Sequence, residues 1–190
     1  MSESPEDPRS LVRQVLAGER DAFDRLVLQY QKKVYRVAFG VLRSVHDAED
    51  AVQEIFLRTY RYLYSYDPGR SFEGWLMGIA LKHSRTFLSR RRSGAVTLDP
   101  ARDSILESPK NPRVATVEKS VQDREMQTAA LQAVVALPEK QREALLLYLN
   151  TDLTTLEIAE ILGCSRGTAG VHLHRARATL RRLLGSWVAP

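Results

Sequence analysis

The sequence predicts an all-α protein with two small helical domains joined by a flexible linker. Apolar residues recur in steps of three and four through most of the chain, which is the spacing of one face of an α-helix. No Asn-Gly or Asp-Gly pair stands between alternating runs, so the sequence lacks a β-hairpin signal. The helical spacing fails over residues 93–122, which hold three of the eight prolines, and the linker is placed there.

Composition limits the functions that this chain can have. Of its 190 residues 27% are charged, and the formal net charge of +5 suits a polyanionic partner such as nucleic acid. Cys164 is the only cysteine, which excludes an internal disulfide and a cysteine-rich zinc site. The sequence shows no nucleophile–base pair, phosphate-binding loop or cluster of metal ligands, so neither an enzyme nor a bound cofactor or metal is expected.

The N-terminus and the hydropathy pattern predict a cytoplasmic protein. Residues 1–9 are acidic and rich in proline, and they are expected to form a disordered tail rather than a secretion signal. The longest apolar run, Ala144–Leu149, is far too short to cross a bilayer, so no membrane contact is expected.

The first domain is expected over residues 10–92 and contains an unusually acidic helix, "DAEDAVQEIF". Helical spacing buries Ala48, Ala51, Val52 and Ile55 and turns outward a set called here the acidic face: Glu49, Asp50, Gln53, Glu54 and Leu57. Asp47 and Glu49 near the helix start are partly explained by the helix dipole, whereas Glu54 lies too far along the helix. An ordinary solvated face and a carboxylate metal site are both open, although the chain lacks the Glu-x-x-His pattern of four-helix di-metal sites.

An aromatic loop, "YRYLYSYDPGRSF", follows the acidic helix. Four of the seven tyrosines lie between Tyr60 and Tyr66 in an alternating pattern. A lone strand cannot satisfy its backbone groups, so the end of a helix running into a loop is predicted instead. Tyr60 and Tyr64 share a helical face and are expected to be partly core, whereas Tyr66 is expected to face outward and stack on an unpaired base.

A basic stripe is predicted on the next helix, "FEGWLMGIALKHSRTFLSRRR". Helical spacing places Lys82, Arg85, Ser89 and Arg92 on one side, with Arg90 and Arg91 adding charge and with Gly74 and Gly78 continuing the stripe as bare backbone. A nucleic-acid strand could approach such a surface closely, and a solvated charged face with incidental glycines is the alternative. Trp75 is equally consistent with a core residue and with a base contact.

The second domain is expected over residues 123–185, with a helix-turn-helix at about residues 154–174. Thr154 and Glu157 form the pattern of a capping box, and Gly163 suits a left-handed helix end. Ser165 is expected to cap a final helix whose cationic residues have no acid nearby: Arg166, Arg175, Arg177, Arg181 and Arg182. Their mutual repulsion favours contact with phosphates over the alternative of an ordinary helical hairpin.

These motifs resemble the extracytoplasmic-function (ECF) branch of the sigma-70 family of bacterial RNA polymerase initiation factors. The resemblance rests on "DAEDAVQEIFLRTYR", "SFEGWLMGIALKHSRTFLSRRR", "LPEKQREALLLYL" and "LTTLEIAEILGCSRGTAGVHLHRAR", in this order, and covers about residues 10–92 and 123–185. It implies that the two domains are sigma regions 2 and 4. It further implies a sigma factor that binds core polymerase, directs it to promoters and helps to open the DNA.

The resemblance also implies roles for individual residues. In the family, a D-x-x-Q-E helix docks on the clamp helices of the largest polymerase subunit, and this pattern falls here on Asp50, Gln53 and Glu54. The following loop and helix capture a flipped base of the −10 element, which implies DNA contacts for Tyr66, Arg70, Trp75, Lys82 and Arg85. Region 4 reads the −35 element, which implies contacts for Arg166, Val171, His174, Arg175 and Arg177. Region 4 also touches the flap of the second largest subunit, and an anti-sigma protein is a further partner implied by the family.

One segment departs from the family pattern. Where relatives commonly have G-T-V-R-S-R, this chain has "GTAGVH", so Ala169 stands for a core Val, and Gly170 and His172 stand for exposed Arg. An uncommon −35 preference is therefore expected.

Two other functions are open: a free-standing helix-turn-helix regulator that binds DNA without polymerase, and a sigma mimic that acts through a regulatory protein.

Overall fold

The computed structural model describes residues 6–93, 129–130 and 132–188, and helices account for most of them. The helices with defined bounds are α1 (Pro8–Leu16), α2 (Arg20–Leu42), α3 (Val45–Tyr62), α4 (Phe72–Arg92), α5 (Glu139–Asn150), α6 (Thr155–Leu162) and α7 (Arg166–Val188). Residues 129–130 and 132–135 are also helical. A short 3-10 turn, Leu63–Ser65, follows α3. Within these ranges there is no β-strand, so the all-α prediction is confirmed.

The predicted N-terminal tail and the predicted linker lie mostly outside the described residues. The boundary of the N-terminal tail at residue 9 is wrong, because α1 begins at Pro8 and the Asp7 carboxylate caps it by accepting a hydrogen bond from the Arg9 amide at 3.1 Å. Residues 1–5 and 94–128 lie outside the described residues, and with them nearly all of the predicted linker over residues 93–122. In the part of the chain that is described, none of the helices could span a membrane.

Helix α2 is the centre of the N-terminal module, which consists of α1–α4. Its buried side chains recur in steps of three and four, and α1, α3 and α4 pack around it. The buried residues are Ala22, Leu26, Tyr30, Val34, Val37, Ala38, Val41 and Leu42. A single helix surrounded in this way fixes the relative positions of α3 and α4, which carry the predicted acidic face and basic stripe.

Helix ends in this module follow from local sequence. Arg43 closes α2 in the left-handed region at φ 61°, and its amide donates to the Phe39 carbonyl at 2.8 Å. The Ser44 hydroxyl then accepts a hydrogen bond from the Asp47 amide at 3.3 Å and starts α3. The Ser71 hydroxyl does the same for α4 by accepting from the Gly74 amide at 3.1 Å.

The C-terminal module, α5–α7, contains the predicted helix-turn-helix. The Thr154 hydroxyl accepts from the Glu157 amide at 3.3 Å, and the Glu157 carboxylate accepts from the Thr154 amide at 2.8 Å, so the capping box is confirmed. Gly163 ends α6 at φ 66°, and Ser165 caps α7 through a 3.1 Å hydrogen bond from the Thr168 amide. Ile158, Leu162 and Leu173 of these two helices are buried in one apolar cluster, whereas Ala176 is buried with Leu137 and Leu145.

Candidate protein and nucleic-acid interfaces

The acidic face of α3 lies on the protein surface. Asp50, Gln53 and Glu54 are exposed, and Leu57 beside them is 58% exposed, whereas the opposite face of the helix is buried. Two basic partners belong to the same helix: His46 lies 3.1 Å from Asp50, and Arg58 lies 3.9 Å from Glu54. Such exposed pairs contribute only about 0.3–0.5 kcal/mol each, so the acidic face is accessible to another molecule.

Asp47 differs from the other acids of this helix because it is buried. Its side chain is 5% exposed and accepts a 2.8 Å hydrogen bond from Arg91 at the far end of α4. The side chain of Arg91 is 16% exposed, so the expectation that it adds charge to the basic stripe is wrong. Burial makes this a fixed internal ion pair, which ties the start of α3 to the end of α4.

In the aromatic loop, the observed exposure of the tyrosines is the opposite of the predicted one. Tyr60 and Tyr64, expected to be partly core, are 50% and 75% exposed, whereas Tyr66 is only 6% exposed. The tighter 3-10 turn after Tyr62 rotates the following side chains, so that Tyr66 points back into the module. Its ring lies against Phe72 and Trp75, with centroids 5.4 and 5.5 Å away, and its hydroxyl donates to the Arg70 carbonyl at 2.7 Å.

The contacts of Tyr66 define the structural role of the loop. Burial raises the pKa of the Tyr66 phenol, which therefore stays a neutral hydrogen-bond donor. Because it donates to the Arg70 carbonyl, it fixes the loop backbone just before α4. Trp75 is half-buried against Phe72, with ring centroids 5.9 Å apart, so it packs in the core with part of its surface accessible. The Arg70 side chain is 72% exposed at the loop surface.

The basic stripe of α4 is only partly open to solvent. Lys82 is exposed, but the guanidinium of Arg85 forms a two-point contact with both carboxylate oxygens of Glu143 on α5. That hydrogen bonding raises the pKa of Arg85 against the opposing effect of burial. A Cβ atom at Gly78 would meet no atom within 4 Å, whereas one at Gly74 would lie 3.6 Å from Leu153 of the C-terminal module. The side chain of Arg92 lies outside the described residues.

The first half of helix α7 presents most of the predicted −35 residues to solvent. Arg166, His174 and Arg175 are exposed, and Val171 is 46% exposed. The guanidinium of Arg177 lies 4.3 Å from the centroid of the Tyr148 ring, a cation–π contact that holds this cation against α5.

A groove beside α7 is lined in part by Gly170, which belongs to the segment that departs from the family pattern. Ala169 is buried in the helix-turn-helix core, and a Cβ at Gly170 would meet nothing within 4 Å. The groove has a volume of about 420 Å³ and is lined by Tyr148, Thr155, Gly170, Leu173, His174, Arg177, Ala178 and Arg181. A Cβ atom at position 170 would therefore fit without a clash.

Metal ligation is limited by the placement of the possible ligands. Across the described ranges no three His, Cys, Asp or Glu side chains come together as a metal site. His172 is partly buried and its Nδ1 lacks a hydrogen-bond partner within the described chain, while His174 points to solvent.

Together, an exposed acidic helix, an adjacent basic helix and an arginine-rich helix-turn-helix have the features of a two-module DNA-binding protein. Comparison with known families assigns both modules. Residues 26–94 match the model of sigma-70 region 2, and residues 127–180 match that of sigma-70 region 4. The chain belongs to the ECF branch of the sigma-70 family.

Relatives match along nearly the whole chain. ECF RNA polymerase sigma factor SigW of Bacillus subtilis (strain 168) is 31% identical, with 91% of this chain and 94% of SigW covered. The ECF RNA polymerase sigma-E factor of Escherichia coli (strain K12) is 31% identical, with 95% of each chain covered. The chain is therefore a sigma factor that directs RNA polymerase to promoters, and it is not an enzyme.

Two solved structures share the fold. CnrH, in complex with the cytosolic domain of CnrY, matches with a TM-score of 0.68 and 25% identity over 95% of this chain and 99% of CnrH. RpoE, in complex with the anti-sigma factor NepR from Bartonella quintana, matches with a TM-score of 0.63 and 25% identity over 86% of this chain and 96% of RpoE. Both matches include the two modules seen here.

Proposed function

We propose that this sigma factor docks on the clamp helices of the largest polymerase subunit through Asp50, Gln53 and Glu54. The observation that carries this proposal is the exposure of all three side chains on a helix whose other face is buried. Gln53 lies between two carboxylates one helical turn apart, an arrangement that suits a partner offering both cations and hydrogen-bond donors. A free-standing DNA regulator would have no use for such a surface.

The −10 element is proposed to bind across the loop before α4 and the basic stripe. Lys82 and Arg85 would contact backbone phosphates, and Arg70 would approach the strand from the exposed loop. Trp75 offers a partly accessible ring beside the loop, and Tyr66 supports that ring from below. Capture of an unpaired base there would favour strand separation, because the opened state gains a contact that duplex DNA lacks.

The −35 element is proposed to bind helix α7 in its major groove. Arg166, Val171, His174 and Arg175 are exposed on the helix, and Arg177, which lies over the Tyr148 ring, would contact a phosphate. Because Gly170 and His172 supply less base-edge contact than arginine, the preferred −35 sequence would differ from the commonest one. The same module is proposed to touch the flap of the second largest polymerase subunit.

An anti-sigma protein is proposed as a further partner, and the cytoplasm as the site of action. RpoE from Bartonella quintana, which shares this fold, is bound to an anti-sigma factor in its solved structure. Polymerase and promoter DNA are both cytoplasmic in bacteria, so a sigma factor acts there.

Reconstitution with bacterial core RNA polymerase tests the proposed function. We expect the chain to co-elute with the core enzyme at modest salt, and the holoenzyme to start transcripts at a defined set of sites on genomic DNA, read by sequencing their 5′ ends. Absence of co-elution would favour a free-standing regulator or a sigma mimic, neither of which needs polymerase. Co-elution without specific initiation would contradict the proposed role at promoters.

A further inference from the structure

Helix α1 lies outside the segment that matches the sigma-70 region 2 family, yet it is a fixed part of the N-terminal module. The match begins at residue 26, whereas α1 spans Pro8–Leu16. Leu11 and Val12 of α1 are 1% and 2% exposed and belong to the same apolar cluster as the buried residues of α2. Their burial holds α1 on the module, and nothing in the family match gives this helix a role.

Polar contacts fix the start of α1 in particular. The Arg25 guanidinium of α2 donates to both carboxylate oxygens of Glu6, at 2.9 and 3.0 Å, and to the Gln14 side chain at 2.6 Å. The Asp7 carboxylate caps the helix by accepting from the Arg9 amide at 3.1 Å. Together with the apolar contacts, these bonds give the first turn of α1 a defined position on α2.

The first turn of α1 lies beside the aromatic loop. Helix α1 packs against the 3-10 turn Leu63–Ser65, which leads into Tyr66. Burial raises the pKa of the Tyr66 phenol, and the hydrogen bonding and charge of Arg9 oppose that rise, which places the Arg9 guanidinium at the Tyr66 hydroxyl. The charges of Asp67 and Asp7 raise the same pKa, so both ends of this contact are close to the loop.

The Tyr66 hydroxyl lies between two arginines. It donates to the Arg70 carbonyl at 2.7 Å, and a phenol oxygen can accept a hydrogen bond at the same time, here from Arg9. Arg9 is exposed, and the Arg70 side chain is 72% exposed. The rings of Tyr66 and Trp75 have centroids 5.5 Å apart. Both cations therefore lie near the ring at which an unpaired base is proposed to bind.

Two acids lie near these arginines, and each of them binds a backbone amide. The Asp7 carboxylate accepts from the Arg9 amide at 3.1 Å, and the Asp67 carboxylate accepts from the Gly69 amide at 2.8 Å. Arg70 lies 3.8 Å from Asp67, which is beyond hydrogen-bond distance. Such exposed pairs are weak and are screened by salt, so a phosphate, which accepts hydrogen bonds at several oxygens, can compete with them.

We propose that Arg9 is a further DNA-contacting residue, which binds a phosphate of the −10 strand next to the nucleotide whose base is captured at Trp75. The inference rests on the proposed role of the loop before α4 in binding that strand. Because Arg9 and Arg70 meet at one hydroxyl, they would bind the phosphates on the two sides of this nucleotide. Helix α1 would then belong to the −10 surface.

Stability of the promoter complex tests this proposal in the reconstituted holoenzyme. The promoter is one identified by sequencing transcript 5′ ends, and opening is read by permanganate reactivity at several salt concentrations. Arg9→Ala should weaken the open complex about tenfold and should reduce the slope of log affinity against log salt by about 0.7, the value for one contact to a single strand. Arg9→Lys keeps the charge and should keep the slope. Arg36→Ala removes an exposed cation from α2 as the matched control and should stay within about twofold of the parent chain.

A second variant distinguishes a direct DNA contact from an effect on the loop. Tyr66→Phe removes the hydroxyl at which Arg9 and Arg70 meet but keeps the aromatic ring. We expect Arg9→Ala to weaken the complex by a similar factor in the Tyr66→Phe chain and in the parent chain, because the lost phosphate contact does not depend on the hydroxyl. A loss that disappears in the Tyr66→Phe chain would mean that Arg9 only holds the loop, and it would overturn the proposed contact.

Arg70→Ala separates failure of this inference from failure of the proposed −10 surface. We expect it to weaken the open complex to about the same extent as Arg9→Ala, since each substitution removes one phosphate contact. A loss in the Arg70 variant with none in the Arg9 variant would overturn the role of Arg9 and leave the −10 surface in place. Unchanged complexes in both variants would overturn the DNA role of the loop, and with it the role of Arg9.

Discussion

Helices α3 and α4 of the N-terminal module carry opposite charge, and the fold treats their charged faces differently. The acidic face of α3 stays on the surface. The basic helix α4 meets acids from two directions, with Glu143 of the C-terminal module at Arg85 and Asp47 of α3 at Arg91. Helical periodicity identifies both faces equally well, but only the structure shows which charges already have a partner within the chain.

Removing the two cations of α4 should give the largest effect. Lys82→Ala combined with Arg85→Ala should reduce promoter opening by about a hundredfold, because two charged contacts to DNA at roughly 1.5 kcal/mol each are lost. Polymerase affinity should change far less. Opening is measured by permanganate reactivity of the melted strand, and affinity by titration with labelled core enzyme.

The matched control for this pair lies on a different helix. Lys32→Ala with Arg36→Ala removes two exposed cations from α2 and gives the same change in net charge. It should leave opening within about twofold of the parent chain, since screened surface charges away from the DNA contribute little. If the α4 variant lost polymerase affinity and opening to the same extent, the stripe would not be a DNA surface.

Reversing a charge on α3 tests whether the acidic face binds core polymerase. Glu54→Lys should weaken binding to core polymerase by about tenfold, roughly 1.4 kcal/mol, without lowering the thermal midpoint, because the side chain is exposed. Glu19→Lys makes the same charge change at an exposed position before α2 and should bind normally. Unchanged affinity in the Glu54 variant would remove the assignment of the acidic face.

Two substitutions at position 170 of helix α7 distinguish an effect on helix stability from an effect on DNA binding. Gly170→Ala should stabilise the module by about 1 kcal/mol, since a helix-interior glycine is replaced where a Cβ meets no atom. Gly170→Arg should give a similar gain in stability and, in addition, bind −35 DNA several-fold more tightly. Thermal unfolding and DNA titration distinguish the two effects. Equal DNA affinity of the Ala and Arg variants would mean that this position does not face the DNA.

The smallest predicted effect is a pH dependence at Glu157. Burial would raise the pKa of this carboxyl, but hydrogen bonds from Thr154 and from Ser71 of α4 hold the pKa below its ordinary 4.5. Because the pKa is lower in the folded chain than in the unfolded one, ionised Glu157 stabilises the fold above pH 4.5, and this contribution is lost as the pH falls through the folded pKa. Carboxyl NMR titration measures it.

The Glu157 titration also reports on the contact between the modules. Ser71→Ala removes the hydroxyl that acts on Glu157 across the interface, and with it the cap of α4, so it should move the pKa of Glu157 part of the way back towards 4.5. A pKa that is already at 4.5 or above in the parent chain would contradict the capping box, and an unchanged pKa in the Ser71 variant would contradict the action of Ser71 on this carboxyl.

Features encoded by neighbouring residues could be predicted from the sequence. The capping box of Thr154 and Glu157, the left-handed Gly163 and the cap at Ser165 are all decided by residues within one helical turn. The exposed acidic face followed in the same way from the buried stripe of α3. The family resemblance of both modules, confirmed by comparison, also rests on such local motifs.

Features that depend on distant residues could not be predicted. Arg85 and Glu143 are 58 positions apart, and periodicity carries no information about which helices meet. Tyr66 is buried because a three-residue 3-10 turn precedes it. The pattern of tyrosines does not indicate where the α-helix gives way to this turn. The roles of the proposed DNA-contacting residues stay predictions until they are measured.

The buried pair of Asp47 and Arg91 has a mechanical consequence. It pins the first turn of α3 to the last turn of α4, so neither helix can slide along the other without exposing an unpaired charge. A tilt of α3 would therefore move α4 in the same direction. Replacing the pair would leave the surfaces proposed for polymerase and for DNA chemically intact, yet it would remove a direct contact through which one helix moves with the other.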